Sequence, residues 1–406
     1  MQEDNGRARH GPWHGWQGLG ARSEAELMRV EVKPELLRWA VNRAGIGALD
    51  ARFPKLASWI SGEAKPTLKQ LEDFANAAHL PLGYLFLQAP PIERLPIPDF
   101  RTAGNEYISH PSPDLLDTIY ACQQRQDWYR EFMQFTGEDP PPFVGSMTVK
   151  SRIETAASSI RTALNFNLEE RYSFASWGEA ARRFIDQAES LGILVMVNGI
   201  VGNNTSRKLN PEEFRGFALV DDLAPTIFIN GADTKAAQMF TLAHELAHVW
   251  LGASAISDAA VISSPSNDAE KWCNQVAAEL LVPLETVREE YRKDASLRSE
   301  LDRLARRFKV STLVVLRRIY DVGGITREEY RAAYRRELAL LRKMIKESDG
   351  GDFYPTHALR VGHRFARALV ASTLEGQTLY RDAFRMLGIS KLATFQVIGR
   401  KLGVAY

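Results

Sequence analysis

A mainly helical chain carrying one small α+β domain is the fold class this sequence predicts, and three observations predict it. Apolar residues recur at helical spacing over most of the 406 residues. Three β-rich runs, ILVMV at 193–197, FRGFALVDD and PTIFING, crowd into one short region. A long apolar helical segment, FTLAHELAHVWLG, follows them directly, and a second, NDAEKWCNQVAAELLVP, comes soon after. Helix, strands, helix, helix in that order make an α+β domain with a small, mainly antiparallel sheet, flanked by helical domains.

Taken in order, residues 1–28 are rich in Gly, Arg, His and Trp without periodicity and read as a disordered tail, with His10 and His14 as tail residues rather than ligands. Residues 29–88 read as short helices. Within them SWISGEAKPTLKQLEDFANAAHLPLGYLF resembles the second half of a phage-repressor-type helix-turn-helix domain. The expected recognition stretch ARFPKLASWISG carries Pro54 and few groups suited to base edges. Lys55, Ser58 and Lys65 are its candidate phosphate contacts, while Leu56, Trp59 and Ile60 read as core. A degenerate domain used for docking protein, or for regulation, is therefore favoured over one that reads DNA.

Four prolines in nine residues make 89–104 an extended linker, in which Leu95, Ile97 and Phe100 alternate as if one side packs; Asp99 and Arg101 read as its surface. Residues 105–176 follow as a helical connector, with helices near 113–136 and 150–164. The α+β domain is expected over 177–326, and residues 327–406 form a helical C-terminal region. Near the end of the α+β domain, Ser311 is an expected N-cap, and Arg303, Arg306, Arg307, Lys309, Arg317 and Arg318 cluster on what reads as a solvated face.

Composition excludes several classes. With 45% hydrophobic and 25% charged residues the chain is long enough for two or three globular domains. A net charge of +1 argues against whole-molecule attraction to nucleic acid, so DNA contact is not favoured. Cys122 and Cys273 cannot build a disulfide framework and fit a reducing compartment. No apolar run approaches the roughly 18 residues that span a bilayer, and the N-terminus has no signal-peptide core, so a cytoplasmic location without membrane contact is expected.

The chemistry lies in His244, Glu245 and His248, spaced H-E-x-x-H inside the apolar helix. Residues i and i+4 stand about 40° apart round a helix, so both imidazoles leave one face and can share a metal. Glu245, about 100° round from His244, reads as base for the metal-activated water rather than as a ligand. Two histidines and a glutamate in a buried helix are costly without such a task.

A catalytic zinc site needs a third protein ligand. The next helix offers Glu270 and Glu279, about 900° apart and so half a turn out of phase. Glu270 borders the side marked by Cys273, Val276, Ala277, Leu280 and Leu281; Glu279 is expected to point away from it. Glu270 is the expected third ligand. Asn274, one turn on, could accept the free ring N–H of a ligand histidine. The strand at 226–229 is the expected edge for pairing with a substrate backbone. Tyr354, His357 and His363 are the downstream candidates for donating a proton to an oxyanion, with a structural role favoured for each.

The run PTIFING, FTLAHELAHVWLG, EKWCNQVAAELLVP and ELDRLARRFKVSTLVVLRRIYDVGGIT resembles the ImmA/IrrE family of zinc metallopeptidases, in the family's block order and over about 177–326. The resemblance implies a zincin-like catalytic domain, zinc as cofactor with Glu270 as a ligand, and a protein substrate, typically a helix-turn-helix repressor. The alternative is an antitoxin or transcriptional regulator that uses the peptidase fold as a scaffold to bind a toxin or DNA.

Overall fold

The structure, a computed structural model, describes residues 29–44, 49–98, 111–257, 267–345 and 358–404. The chain divides into two compact units, Met1–Glu93 and Arg94–Tyr406. The tail expected at 1–28, with His10 and His14, lies outside the described residues, as do Asp99, Phe100, Arg101, Tyr354 and His357.

In the first unit α1 (Pro34–Ala44), α2 (Leu56–Ser61) and α3 (Leu68–Ala77) are followed by a 3-10 turn, Leu82–Phe86. Leu36, Leu37, Leu56, Trp59, Leu71, Phe74 and Leu85 form its core. A capping box starts α3: Gln70 N donates to Thr67 Oγ1 (3.2 Å) and Thr67 N donates to Gln70 Oε1 (2.9 Å). Two of the candidate phosphate contacts are engaged inside the unit, since Ser58 Oγ donates to Lys55 O (2.8 Å) and Lys65 Nζ pairs with Glu31 (3.1 Å).

The second unit opens with α4 (Pro113–Thr136), α5 (Ile153–Leu164), α6 (Leu168–Ser173) and α7 (Trp177–Ser190). The strands β1 (Leu194–Asn198), β2 (Ile200–Val201), β3 (Asn204–Lys208), β4 (Gly216–Leu219) and β5 (Thr226–Asn230) come next. After α8 (Lys235–Leu251) and β6 (Ala255–Ser257) the chain is helical: α9 (Asp268–Leu281), α10 (Leu284–Glu290), α11 (Leu297–Phe308), α12 (Thr312–Asp321), α13 (Arg327–Ile345), α14 (His363–Leu374), α15 (Tyr380–Leu387) and α16 (Leu392–Lys401). The fold class is therefore the expected one, mainly helical with a small mixed sheet. No helix among the described residues is long and apolar enough to cross a membrane.

The main sheet has the order β1-β5-β4-β6, with β1 and β5 parallel and the other pairs antiparallel. Strand alternation divides it between two cores. Val195, Val197, Ile227 and Ile229 face α5, α7, α8 and α9, while Leu194, Met196, Phe217, Leu219, Phe228 and Ile256 face α4 and α14 to α16. The helices of 105–176 and 327–406 thus enter the cores on the two faces of this sheet rather than standing apart from it. A sheet covered on both sides has strands buried throughout, as β1, β4 and β5 are.

One expectation is corrected here. Strand β5 is hydrogen-bonded on both sides, to β1 and to β4, so residues 226–229 present no free edge to a substrate. Edge position depends on strand order, which local sequence does not encode. The outer side of β6 is itself partly used, because Ile256 N donates to Pro98 O (3.0 Å). Leu95 and Ile97 of the same proline-rich stretch pack on the second core.

Candidate metal centre

Helix α8 begins where Thr234 Oγ1 accepts from Ala237 N (3.3 Å) and ends at Gly252, whose left-handed conformation (φ 75°) stops the helix. The loop at 143–147 fastens that end, with Gly145 N bonded to Val249 O (3.0 Å), Met147 N to Trp250 O (2.9 Å), and Phe143 stacked on Trp250 at 4.3 Å. Gln238 to Trp250 are buried without interruption, as an all-round apolar helix requires. Helix α9 crosses α8 with Asn267 as its N-cap, the side chain accepting from Ala269 N (2.8 Å).

This crossing brings His244, His248 and Glu270 together. His248 Nε2 lies 3.1 Å from His244 Nε2 and 2.9 Å from Glu270 Oε1, and His244 Nε2 lies 3.2 Å from Glu270 Oε2. His244 Nδ1 meets Asn274 Oδ1 at 3.0 Å, so the ring proton sits on Nδ1 and the Nε2 lone pair faces the carboxylate. A lone pair and a carboxylate oxygen at that separation are repulsive unless a cation lies between them. Ligands about 2.0–2.1 Å from a tetrahedral zinc stand about 3.3 Å from one another, close to the separations found. The donor set therefore fits a metal ion. His248 Nδ1 is buried and has no hydrogen-bond partner among the described residues.

Burial alone disfavours ionisation of Glu270, and positive charge placed among these ligands opposes it, so a cation at the cluster keeps the carboxylate ionised. Cys273 behaves oppositely. Burial first, then the charges of Glu270 and Glu245, push its thiol up, so it remains an uncharged neighbour and not a competing thiolate. His244, Glu245 and His248 are 0% exposed and Glu270 2%, an enclosed site.

Beneath Glu245 lies a residue that sequence reading passed over. Strand β4 turns only Gly216 and Ala218 towards α8, and a Cβ at Gly216 would stand 2.5 Å from Thr241 Cγ2, 2.8 Å from Phe228 O and 3.2 Å from Glu245 Oε1. The helix seats directly on that glycine. A glycine inside a strand pattern was the one available signal, since it marks close backbone approach.

Two further expectations change. Glu279 does not point into solvent: it is 7% exposed and ion-paired with Arg318, which also donates to Val282 O (2.8 Å). Helix α12 covers that side of α9, a second layer that periodicity along α9 alone does not reveal. The basic cluster is likewise largely spoken for, with Arg303 on Glu300 (2.7 Å), Arg307 on Glu290 (2.6 Å) and Arg317 on Asp321 (2.9 Å). Ser311 is the N-cap of α12, accepting from Val314 N (3.3 Å).

His363 is not part of this cluster. It opens α14 beside Asp186 and Glu189, with Nδ1 3.9 Å from Glu189 Oε2. Glu189 caps that helix from outside, accepting from Arg364 N (3.1 Å), which gives its carboxylate a structural role.

The fold has a small zincin-like α+β domain, and the family comparison suggests a metallopeptidase-type function for it. Residues 188–320, about a third of the chain, match the family model of the IrrE N-terminal-like domain, a peptidase family, which supports the ImmA/IrrE resemblance. Residues 361–401 match a domain of unknown function. No curated protein matches the chain.

Proposed function

We propose that the chain is a zinc-dependent endopeptidase that hydrolyses a peptide bond in a regulatory protein, a helix-turn-helix repressor or similar partner. One observation carries the reading: three ligand side chains from α8 and α9 converge, with the two imidazole Nε2 atoms 3.1 Å apart and each 2.9 or 3.2 Å from a different carboxylate oxygen of Glu270, and a further carboxylate stands on the residue after His244. His244, His248 and Glu270 hold the metal, and Asn274 fixes the His244 ring so that Nε2 is the ligand atom. Zinc in such a set supplies Lewis acidity that brings the pKa of water from about 15.7 to near 7. With such a group bound, Glu245 would serve as the general base toward water and would then return the proton to the leaving amine as the peptide bond breaks. Its place on Gly216 and the apolar walls around it exclude bulk water, which strengthens every charge in the site.

The first unit, Met1–Glu93, is the part that recognises the partner, by docking protein rather than by reading DNA. The experiment is to incubate the zinc-loaded full chain with the products of neighbouring genes and look for a discrete cut. Wild type cuts one of them, and Glu245→Gln, which keeps the ligands, loses several orders of magnitude in rate. Equal cutting by both proteins would remove Glu245 from the mechanism.

Enclosure of the four site residues favours a second reading, a regulator or antitoxin that binds a neighbouring toxin on the peptidase scaffold. Stable binding of such a neighbour, with no cut by zinc-loaded wild type, establishes that reading instead.

A further inference from the structure

Away from the metal centre, α4 meets α14 and α15 along a groove. Two adjoining hollows of about 370 and about 440 Å³ share Trp128, Glu131, Gln377 and Thr378. The floor is rigid. Trp128 stacks on Phe132 at 5.4 Å, meets Phe365 edge-on at 5.6 Å and donates from Nε1 to Thr378 Oγ1 (3.3 Å). Each hollow is open and has one large exposed apolar side chain at its rim: Phe135 borders the first and is 72% exposed, and Leu379 borders the second, otherwise more polar hollow and is 64% exposed. Exposed apolar side chains at the mouths of adjoining preformed hollows, unlike single scattered ones, mark a binding surface.

The charges give that surface a sign. Asp127, Glu131 and Asp382 line the hollows against Arg385 alone. Asp127 is paired with Arg130 at 2.9 Å and Asp382 lies 3.5 Å from Arg385, whereas Glu131 has no ion-pair partner among the described residues. Glu131 stands one helical turn before Phe135 on α4, so an acidic and an apolar contact are offered together. A channel between packed helices takes a third helix more readily than an extended strand, because no free backbone edge is present to pair with one.

We propose that this groove docks a short amphipathic helix of a protein partner, which sets a large apolar side chain between Phe135 and Leu379 and a lysine or arginine against Glu131. The proposal is independent of catalysis and stands whether or not the metal centre cleaves.

The test uses the full chain and two labelled helical peptides of about 14 residues, one of leucine and lysine, the other of leucine and glutamate, followed by fluorescence anisotropy near physiological salt. The leucine-lysine peptide should bind at micromolar concentration and the leucine-glutamate peptide at least tenfold more weakly. Phe135→Ser and Glu131→Lys should each weaken the first peptide at least fivefold without changing the melting temperature. Glu285→Lys, the same charge change on exposed α10, should leave it unaffected. Equal binding of the two peptides, equal loss in the Glu285 variant, or no loss with Phe135→Ser would overturn the proposal. So would a dimer of the chain that Phe135→Ser dissolves, which would make the groove a contact between copies.

Discussion

Asn274 Oδ1 reaches across from α9 to accept the Nδ1–H of His244 on α8 at 3.0 Å, so the helix that carries Glu270 also sets which nitrogen of His244 faces the cluster. That one bond couples the helix crossing to the chemistry of the site. Removing such an outer contact typically costs about 10–100-fold in metal affinity. Asn274→Ala should therefore weaken zinc by that factor in a chelator competition while the fold is kept. An unchanged affinity would show that His244 is oriented by packing alone.

Glu279 provides a control of opposite kind. It lies on the same helix as Glu270 but is spent on buried Arg318. Burial presses the Arg318 guanidinium down, and Glu279 is the first group to oppose this. Glu279→Gln should retain metal and lose about 1–3 kcal/mol of stability, because a buried charge loses its counter-charge but keeps a hydrogen-bond acceptor. Urea unfolding with zinc content measured on the same sample checks both; loss of metal without loss of stability would contradict the assignment.

The motif helix and the helix carrying Glu270 were legible because each is written in local pattern, as an apolar run at helical spacing. Helical phase says which side chains share a face, and on that ground the sequence brings His244, His248, Glu270 and Asn274 to one place, where the structure also has them. What was not legible depends on neighbours distant in sequence. Strand 226–229 looked like an edge until β1 and β4 were seen on both of its sides, and Glu279 looked solvated until α12 covered it. The helical segments on either side of the α+β domain gave no sign that they cover the two faces of one sheet, because an apolar helix face does not name its partner.

Gly216 makes the seating of α8 testable. An added methyl meets Thr241 Cγ2 and Phe228 O well inside normal contact, so Gly216→Ala should cost about 1–3 kcal/mol by overpacking. Adding Thr241→Ser, which removes the methyl it strikes, should recover part of the loss. Thermal unfolding of the single and double variants decides it; a neutral Gly216→Ala would mean that the strand and helix stand further apart.

Glu189 predicts a pH dependence. Burial raises its carboxyl to about 7, with the Arg364 amide opposing and the charge of Asp186 adding. The folded value lies above the ordinary 4.5, so folded protein holds this proton more tightly than the unfolded chain. Its contribution to stability is therefore complete below about 4.5 and is lost as pH rises through about 7. Glu189→Gln keeps an acceptor for the Arg364 amide and should raise stability at pH 8 by about 1–3 kcal/mol relative to wild type, with little gain at pH 4. The same gain at both pH values would contradict the assignment.

The central claim, that His244, His248 and Glu270 hold a catalytic metal and Glu245 does not, is tested most directly by elemental analysis of purified variants. Wild type, Glu245→Gln and Glu279→Gln should each carry about one zinc per chain, and Glu270→Gln should carry markedly less. Equal zinc in the Glu270 and Glu279 variants, or loss of zinc with Glu245→Gln, would contradict the account.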